Sequence, residues 1–159
     1  MSDVRVKVAD YAVAAGSAVL SSVGLGSCIA IALWDAKTGI GGLAHILVPS
    51  PSLARDASNP AKFPSTAVPL LVEEMRRRGA SREITAKIAG GASMFASLLP
   101  PGAINMGERN AVATRDALAA AGVQLIAEDT GGDYGRSVFF HLRDGSLHVR
   151  SLKAGDRVL

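Results

Sequence analysis

Short apolar runs broken by glycine-bearing turns leave this chain little choice but to build sheet. Ala18–Val23, Cys28–Trp34 and Ile40–Val48 follow one another, with Gly24-Leu25-Gly26-Ser27 and Asp35-Ala36-Lys37-Thr38-Gly39 between them. Runs this short, bounded by residues that favour chain reversal, read as strands, and the second and third as a hairpin.

The same punctuation recurs further on. Ile84–Ala89 leads into Gly90-Gly91, and Val123–Glu128, Ser137–Leu142 and Leu147–Leu152 follow, the last two joined by Arg143-Asp144-Gly145-Ser146. Two segments carry the other period. Val68, Leu71, Val72 and Met75 are spaced to form one stripe on a helix that ends at Gly79. Pro69 belongs in its first turn, which makes Thr66 the N-cap. A second helix starts at Asn105, capped with Glu108 at the third position, and stops at Gly122. Hairpins with two helices define an α+β fold with largely antiparallel sheet in a single domain. Pro49–Pro64, with four prolines, is a surface loop of a length usually associated with binding or closure.

Composition narrows the function classes. Hydrophobic residues make up 48% of the 159 and charged residues only 19%, enough for a core and against disorder. Aromatics are 4%, so the core is aliphatic. A net charge of +3 without a basic tract argues against nucleic acid; the densest run, Arg76-Arg77-Arg78, suits a helix C-terminus. One cysteine rules out an internal disulfide, the first residues lack a signal peptide's apolar stretch, and no run is long enough to span a bilayer, so the expected location is the cytoplasm, without membrane insertion.

That cysteine, Cys28, follows directly on a glycine-rich turn, where main-chain N–H groups are unobstructed and could hold an oxyanion. If Trp34 and Gly39 close the hairpin loop, Cys28 lies directly across from His45, within reach of a thiol–imidazole hydrogen bond. An imidazolium beside the sulfur would stabilise the thiolate and could protonate a poor leaving group such as ammonia. The bland alternatives are an inert buried cysteine and a core histidine bonded to backbone. A third group should orient the imidazole, and spacing alone does not choose between Ser21, Ser22 and Ser27.

Further blocks carry a resemblance. Gly24-Leu25-Gly26-Ser27-Cys28, Ala44-His45, Lys62-Phe63 with Thr66-Ala67-Val68, Lys87 to Phe95, Ile104 to Asn110, and Glu128 to Gly132 with Arg136-Ser137-Val138 are similar, in order, to the chemoreceptor glutamine deamidases called CheD. The resemblance implies one deamidase domain over residues 1–159, with Cys28 as nucleophile and His45 as its base. A third catalytic position, threonine in the family, falls on Ser22, which keeps the hydroxyl but not the rotamer-stiffening methyl. It further implies that helical cytoplasmic segments of chemotaxis receptors are the substrate, that glutamine becomes glutamate with loss of ammonia through a thioester, and that no cofactor or metal is used. Family members also bind CheC, a response-regulator phosphatase. A CheC-type partner is thus implied, and a non-catalytic adaptor that stimulates such a phosphatase is the alternative to the enzyme.

Arg109 and Asn110 read as substrate or partner contacts through this resemblance alone. Gly90–Phe95 lacks the lysine of a phosphate cradle and reads as a turn. His141 and His148 face each other if Leu142 pairs with Leu147, but without a third ligand they are a surface pair rather than a metal site.

Overall fold

A computed structural model describes residues 3–95, 98–101, 103 and 105–159. Among the described residues, ten strands form two five-stranded sheets. The first sheet orders β1 (Asp3–Arg5), β3 (Val19–Leu25), β8 (Arg136–His141), β9 (Ser146–Arg150) and β10 (Arg157–Val158). The second orders β2 (Tyr11–Ala14), β5 (Gly41–Ile46), β4 (Ile29–Asp35), β6 (Ile84–Gly90) and β7 (Gln124–Thr130). Among the described residues, β1 with β3 and β6 with β7 are the parallel pairs, and the other pairs are antiparallel. The expected α+β class with largely antiparallel sheet is the one observed. The short outer strands β1, β2 and β10 carry little apolar patterning and were not legible in the sequence.

Side-chain alternation along β4 and β5 divides the interior into two layers. Ile29, Ile31, Leu33, Ala44 and Ile46 face the helices α1 (Pro64–Arg77) and α2 (Met106–Ala120) and join Val68, Leu71 and Met75 in one cluster. Cys28, Ala30, Ala32 and Leu43 face the other way, against Leu20, Leu25, Val138 and Phe140 of the first sheet. Residues of opposite chain parity therefore serve different cores.

The stripe on α1 is buried as expected, but the helix starts earlier than its proline suggested. Phe63 occupies the N-cap and Pro64 the first turn, so Pro69 lies in the second turn. Thr66 is inside the helix, its hydroxyl donating to the Pro60 and Phe63 carbonyls. The missing N–H at Pro69 is tolerable because Pro69 and Ser65, whose carbonyl it would have served, are both exposed. Asn105 caps α2 as expected, accepting from the Glu108 N–H at 3.0 Å. The Pro49–Pro64 segment contains short 3-10 turns at Pro51–Leu53 and Pro60–Lys62.

Both four-residue hairpin loops are displaced by one position from the expected closure. Asp35 and Ile40 close the first, so β4 and β5 pair as Ala30 with His45. His141 and Ser146 close the second. In each, the last loop residue is glycine with positive φ, 73° at Gly39 and 76° at Gly145, and its N–H returns to the residue before the loop. Asp35 secures the first loop. Its buried carboxylate accepts from the Lys37 N–H, the Thr38 hydroxyl, and both the N–H and hydroxyl of Ser81.

Candidate functional site

Cys28, His45 and Ser22 all lie between the two sheets, at the end where β4 begins. The corrected register makes Leu47, not His45, the residue opposite Cys28. Because the displacement is by two positions, parity is preserved: Cys28 and His45 project from the same face as diagonal neighbours. Cβ atoms in that relation stand about 7 Å apart, within reach of long side chains but not in the direct contact expected from the sequence.

Ser22 reaches His45 from the opposite sheet. Its Oγ lies 2.7 Å from His45 Nδ1 and 2.6 Å from the Val6 carbonyl oxygen. Two oxygens that close must share a proton, and the serine hydroxyl holds the only one. Ser22 therefore donates to Val6 and accepts from His45, which puts the ring proton on Nδ1 and leaves Nε2 bare. Nε2 is buried without a hydrogen-bond partner. The other two candidate serines serve elsewhere: Ser21 accepts from Arg5 Nε at 3.0 Å, and the Ser27 carbonyl is held by Asn110.

The N-terminal segment clasps both members of this pair. Val6 N–H donates to Ser21, Ala9 N–H to the His45 carbonyl, and His45 N–H to the Asp10 carbonyl. Ala9 adopts φ of 59° to make this turn, a conformation that a non-glycine residue enters only when its surroundings demand it. A bulge follows Ser22: Val23 and Gly24 stand where β8 has one residue between Val138 and Arg136, with Gly24 at φ 72°.

The strand end that carries Cys28 is held on its other side by Gly90-Gly91-Ala92. Gly91 N–H donates to the Cys28 carbonyl at 2.8 Å and Ala92 N–H to that of Gly26 at 2.9 Å. A side chain at Gly90 would run into the Cys28 carbonyl oxygen, and φ there is 117°. This close approach is why the glycines that resemble a phosphate cradle belong to the turn instead. Arg136, buried against Asp129 at 3.3 Å, donates to the Gly90 carbonyl and braces the same turn from behind. Beside it runs a surface cleft lined by Gly24, Met94, Tyr134, Arg136, Phe139 and Arg150.

Burial sets the charge state. It pushes the Cys28 thiol above its ordinary value, opposed in part by the residue's own N–H, and it pulls His45 down to about 4. Both shifts favour the uncharged form of the side chain, whereas the sequence reading placed an imidazolium beside a thiolate. In this arrangement the imidazole can take a proton through Nε2, while Nδ1 stays tied to Ser22.

Of the two residues read as substrate or partner contacts, Arg109 is exposed, whereas Asn110 is fully buried. Its Nδ2 donates to the carbonyls of Ser27 at 2.8 Å and Leu47 at 3.1 Å. Sequence reading passed over this residue's role because its partners are main-chain atoms far away in the chain. The rings of His141 and His148 lie 4.3 Å apart between centroids, offset diagonally by the displaced second hairpin. Among the described residues no group of three or more metal-ligating side chains exists, and no helix is long and apolar enough to cross a membrane.

An aliphatic two-sheet α+β scaffold with a cysteine and a serine-oriented histidine between its sheets defines a class, and comparison with known sequences specifies it. The pattern of the family described as CheD chemotactic sensory transduction matches residues 47–151, and the chain belongs to that family. The match begins two residues beyond His45, but similar relatives cover the site as well. A protein of Geobacter metallireducens named a probable chemoreceptor glutamine deamidase CheD 2 is 45% identical over 94% of each chain. Proteins named probable chemoreceptor glutamine deamidase CheD from Caldanaerobacter subterraneus, 41% identical over 95% of this chain and 94% of its own, and Pyrococcus horikoshii, 38% over 98% and 96%, are similar along nearly their whole length.

Proposed function

We propose that this protein deamidates glutamine side chains of chemotaxis receptors, with Cys28 as nucleophile, His45 as general base and acid, and Ser22 as the group that orients the imidazole. The observation that carries this reading is the bond from His45 Nδ1 to Ser22 Oγ, which leaves Nε2 bare on the face that also bears the thiol. The names of the relatives supply the substrate.

Since both groups rest uncharged, the proton of Cys28 moves to Nε2 as sulfur bonds to the carboxamide carbon. The C=O electrons move onto oxygen, and main-chain N–H groups of the Gly26–Cys28 turn stabilise that charge. Collapse of the tetrahedral species breaks the C–N bond while the imidazolium returns its proton to nitrogen, so ammonia departs and a thioester remains. Water then loses a proton to Nε2 and attacks the thioester, releasing glutamate and restoring the thiol. Throughout, Ser22 accepts from Nδ1–H, which favours the ring position needed in both half-reactions.

Incubation with a receptor's cytoplasmic fragment, followed by peptide mass analysis, tests this. Wild-type protein converts particular glutamines to glutamate and Cys28→Ala converts none. Intact glutamines with the folded wild-type protein, or conversion by Cys28→Ala, would overturn it.

A further inference from the structure

The buried carboxamide of Asn110 lies next to the candidate site without facing it. Its two donated bonds join the chain just before the nucleophile to the chain just after the base: Ser27 precedes Cys28, and Leu47 lies two residues past His45. Continuing the hairpin register by one pair sets Cys28 opposite Leu47, so the amide spans the gap where the strands end. Helix α2 delivers it there because Gly107, one turn earlier on the same face, lets the helix rest directly on the Gly91 and Ala92 carbonyls, where any side chain would collide.

Geometry gives this clamp a consequence. The Ser27–Cys28 peptide is planar and trans, so its carbonyl and its N–H point in opposite directions. Holding the Ser27 carbonyl on Asn110 directs the Cys28 N–H away from α2. That N–H lowers the thiol's pKa, against the upward push of burial.

We infer that Asn110 is a positioning residue for the nucleophile: by fixing the Ser27–Cys28 peptide it holds the Cys28 N–H on the sulfur and on the oxygen that becomes charged during attack. The inference rests on the deamidase reading above. A second feature supports it. Asn110 Oδ1 is buried without a partner, a cost the protein carries while both hydrogens of Nδ2 are used. Aspartate, of the same shape, would set oxygens against both carbonyls.

Asn110→Ala tests this through two readouts. With receptor fragment, kcat should fall about tenfold or more while KM stays within about twofold of wild type. Independently of substrate, the pH midpoint for iodoacetamide alkylation of Cys28 should move upward, because the thiolate loses a fixed donor. Wild-type kcat and an unmoved midpoint in folded Asn110→Ala would overturn the inference, as would a loss of activity matched by the loss of folded fraction in circular dichroism. Should Asn110→Ala not fold, nuclear magnetic resonance of the wild type decides. A slowly exchanging Asn110 side-chain amide, with a Cys28 amide resonance that follows thiol titration, supports the inference; exchange at the rate of a free amide overturns it. A wild type inactive on receptor fragment would sink the deamidase reading, yet the alkylation comparison would still decide on Asn110.

Discussion

Ser22 Oγ lies 2.7 Å from His45 Nδ1, and the hydrogen bond between them runs from one sheet to the other. Since the hydroxyl proton is committed to Val6, this one contact selects the imidazole tautomer.

Removing that contact should impair chemistry more than binding. Ser22→Ala leaves Nδ1–H buried and unpaired, at about 1–3 kcal/mol, and frees the ring to turn or change tautomer. We expect kcat to fall about tenfold to a hundredfold, with KM little changed. Ser22→Thr, which keeps the oxygen, should retain most activity. Equal kcat for wild type and Ser22→Ala would remove Ser22 from the site.

The pH profile follows from burial. His45, held at about 4, is neutral and able to accept a proton across the physiological range. We expect kcat/KM to stay level from about pH 5 to 8 and to fall only as pH approaches 4, not near the usual histidine value of about 6.5. The same depression has a stability consequence: the unfolded histidine takes up its proton first, so stability present above about pH 6.5 declines as the solution is acidified toward 4. An acid limb centred near 6.5 would instead be that of an ordinary, unshifted imidazole and would contradict the effect of burial.

Asp35 should matter for the register that puts Cys28 and His45 on one face. Burial raises its pKa, but the hydrogen bonds from Ser81, Thr38 and Lys37 outweigh this, and the net shift is downward. Stabilisation from the carboxylate is present at neutral pH and lost as pH falls below the ordinary aspartate value. Asp35→Ala removes the buried acceptor of four hydrogen bonds that hold the loop to Ser81, and we expect about 2–4 kcal/mol of destabilisation in urea unfolding. A change under about 0.5 kcal/mol would contradict this, being what an ordinary surface substitution costs.

The Asp129–Arg136 pair supports the turn that carries Gly90, and both side chains are almost wholly excluded from water. Asp129→Ala leaves the Arg136 charge uncompensated in the interior, and we expect a loss of about 3–5 kcal/mol, read as a lower urea midpoint. Arg157, 3.5 Å from Asp129 but largely exposed, should contribute far less, and Arg157→Ala should cost about 1 kcal/mol or less.

Much of this architecture was legible along the chain. Short apolar runs, glycine turns and the Val68–Met75 stripe identified seven strands and both helices to within a few residues. The shared face of Cys28 and His45 was also legible, since an error of two positions in register leaves parity intact. The closing pair was missed in both hairpins because Gly39 and Gly145 were not taken as the final, left-handed loop residues.

Local chemistry thus determined which segments are strands, which are helices, and that a lone thiol and a histidine share one side of a hairpin. Tertiary structure alone decided the rest. Ser22 meets His45 only because two sheets stack, and Asn110 joins Ser27 to Leu47 only because α2 settles on the Gly90-Gly91-Ala92 turn. Both contacts link residues distant in the chain, and burial moves the thiol pKa up and the imidazole pKa down from their ordinary values. Such relations depend on which surfaces pack together, and periodicity along one strand carries no record of that.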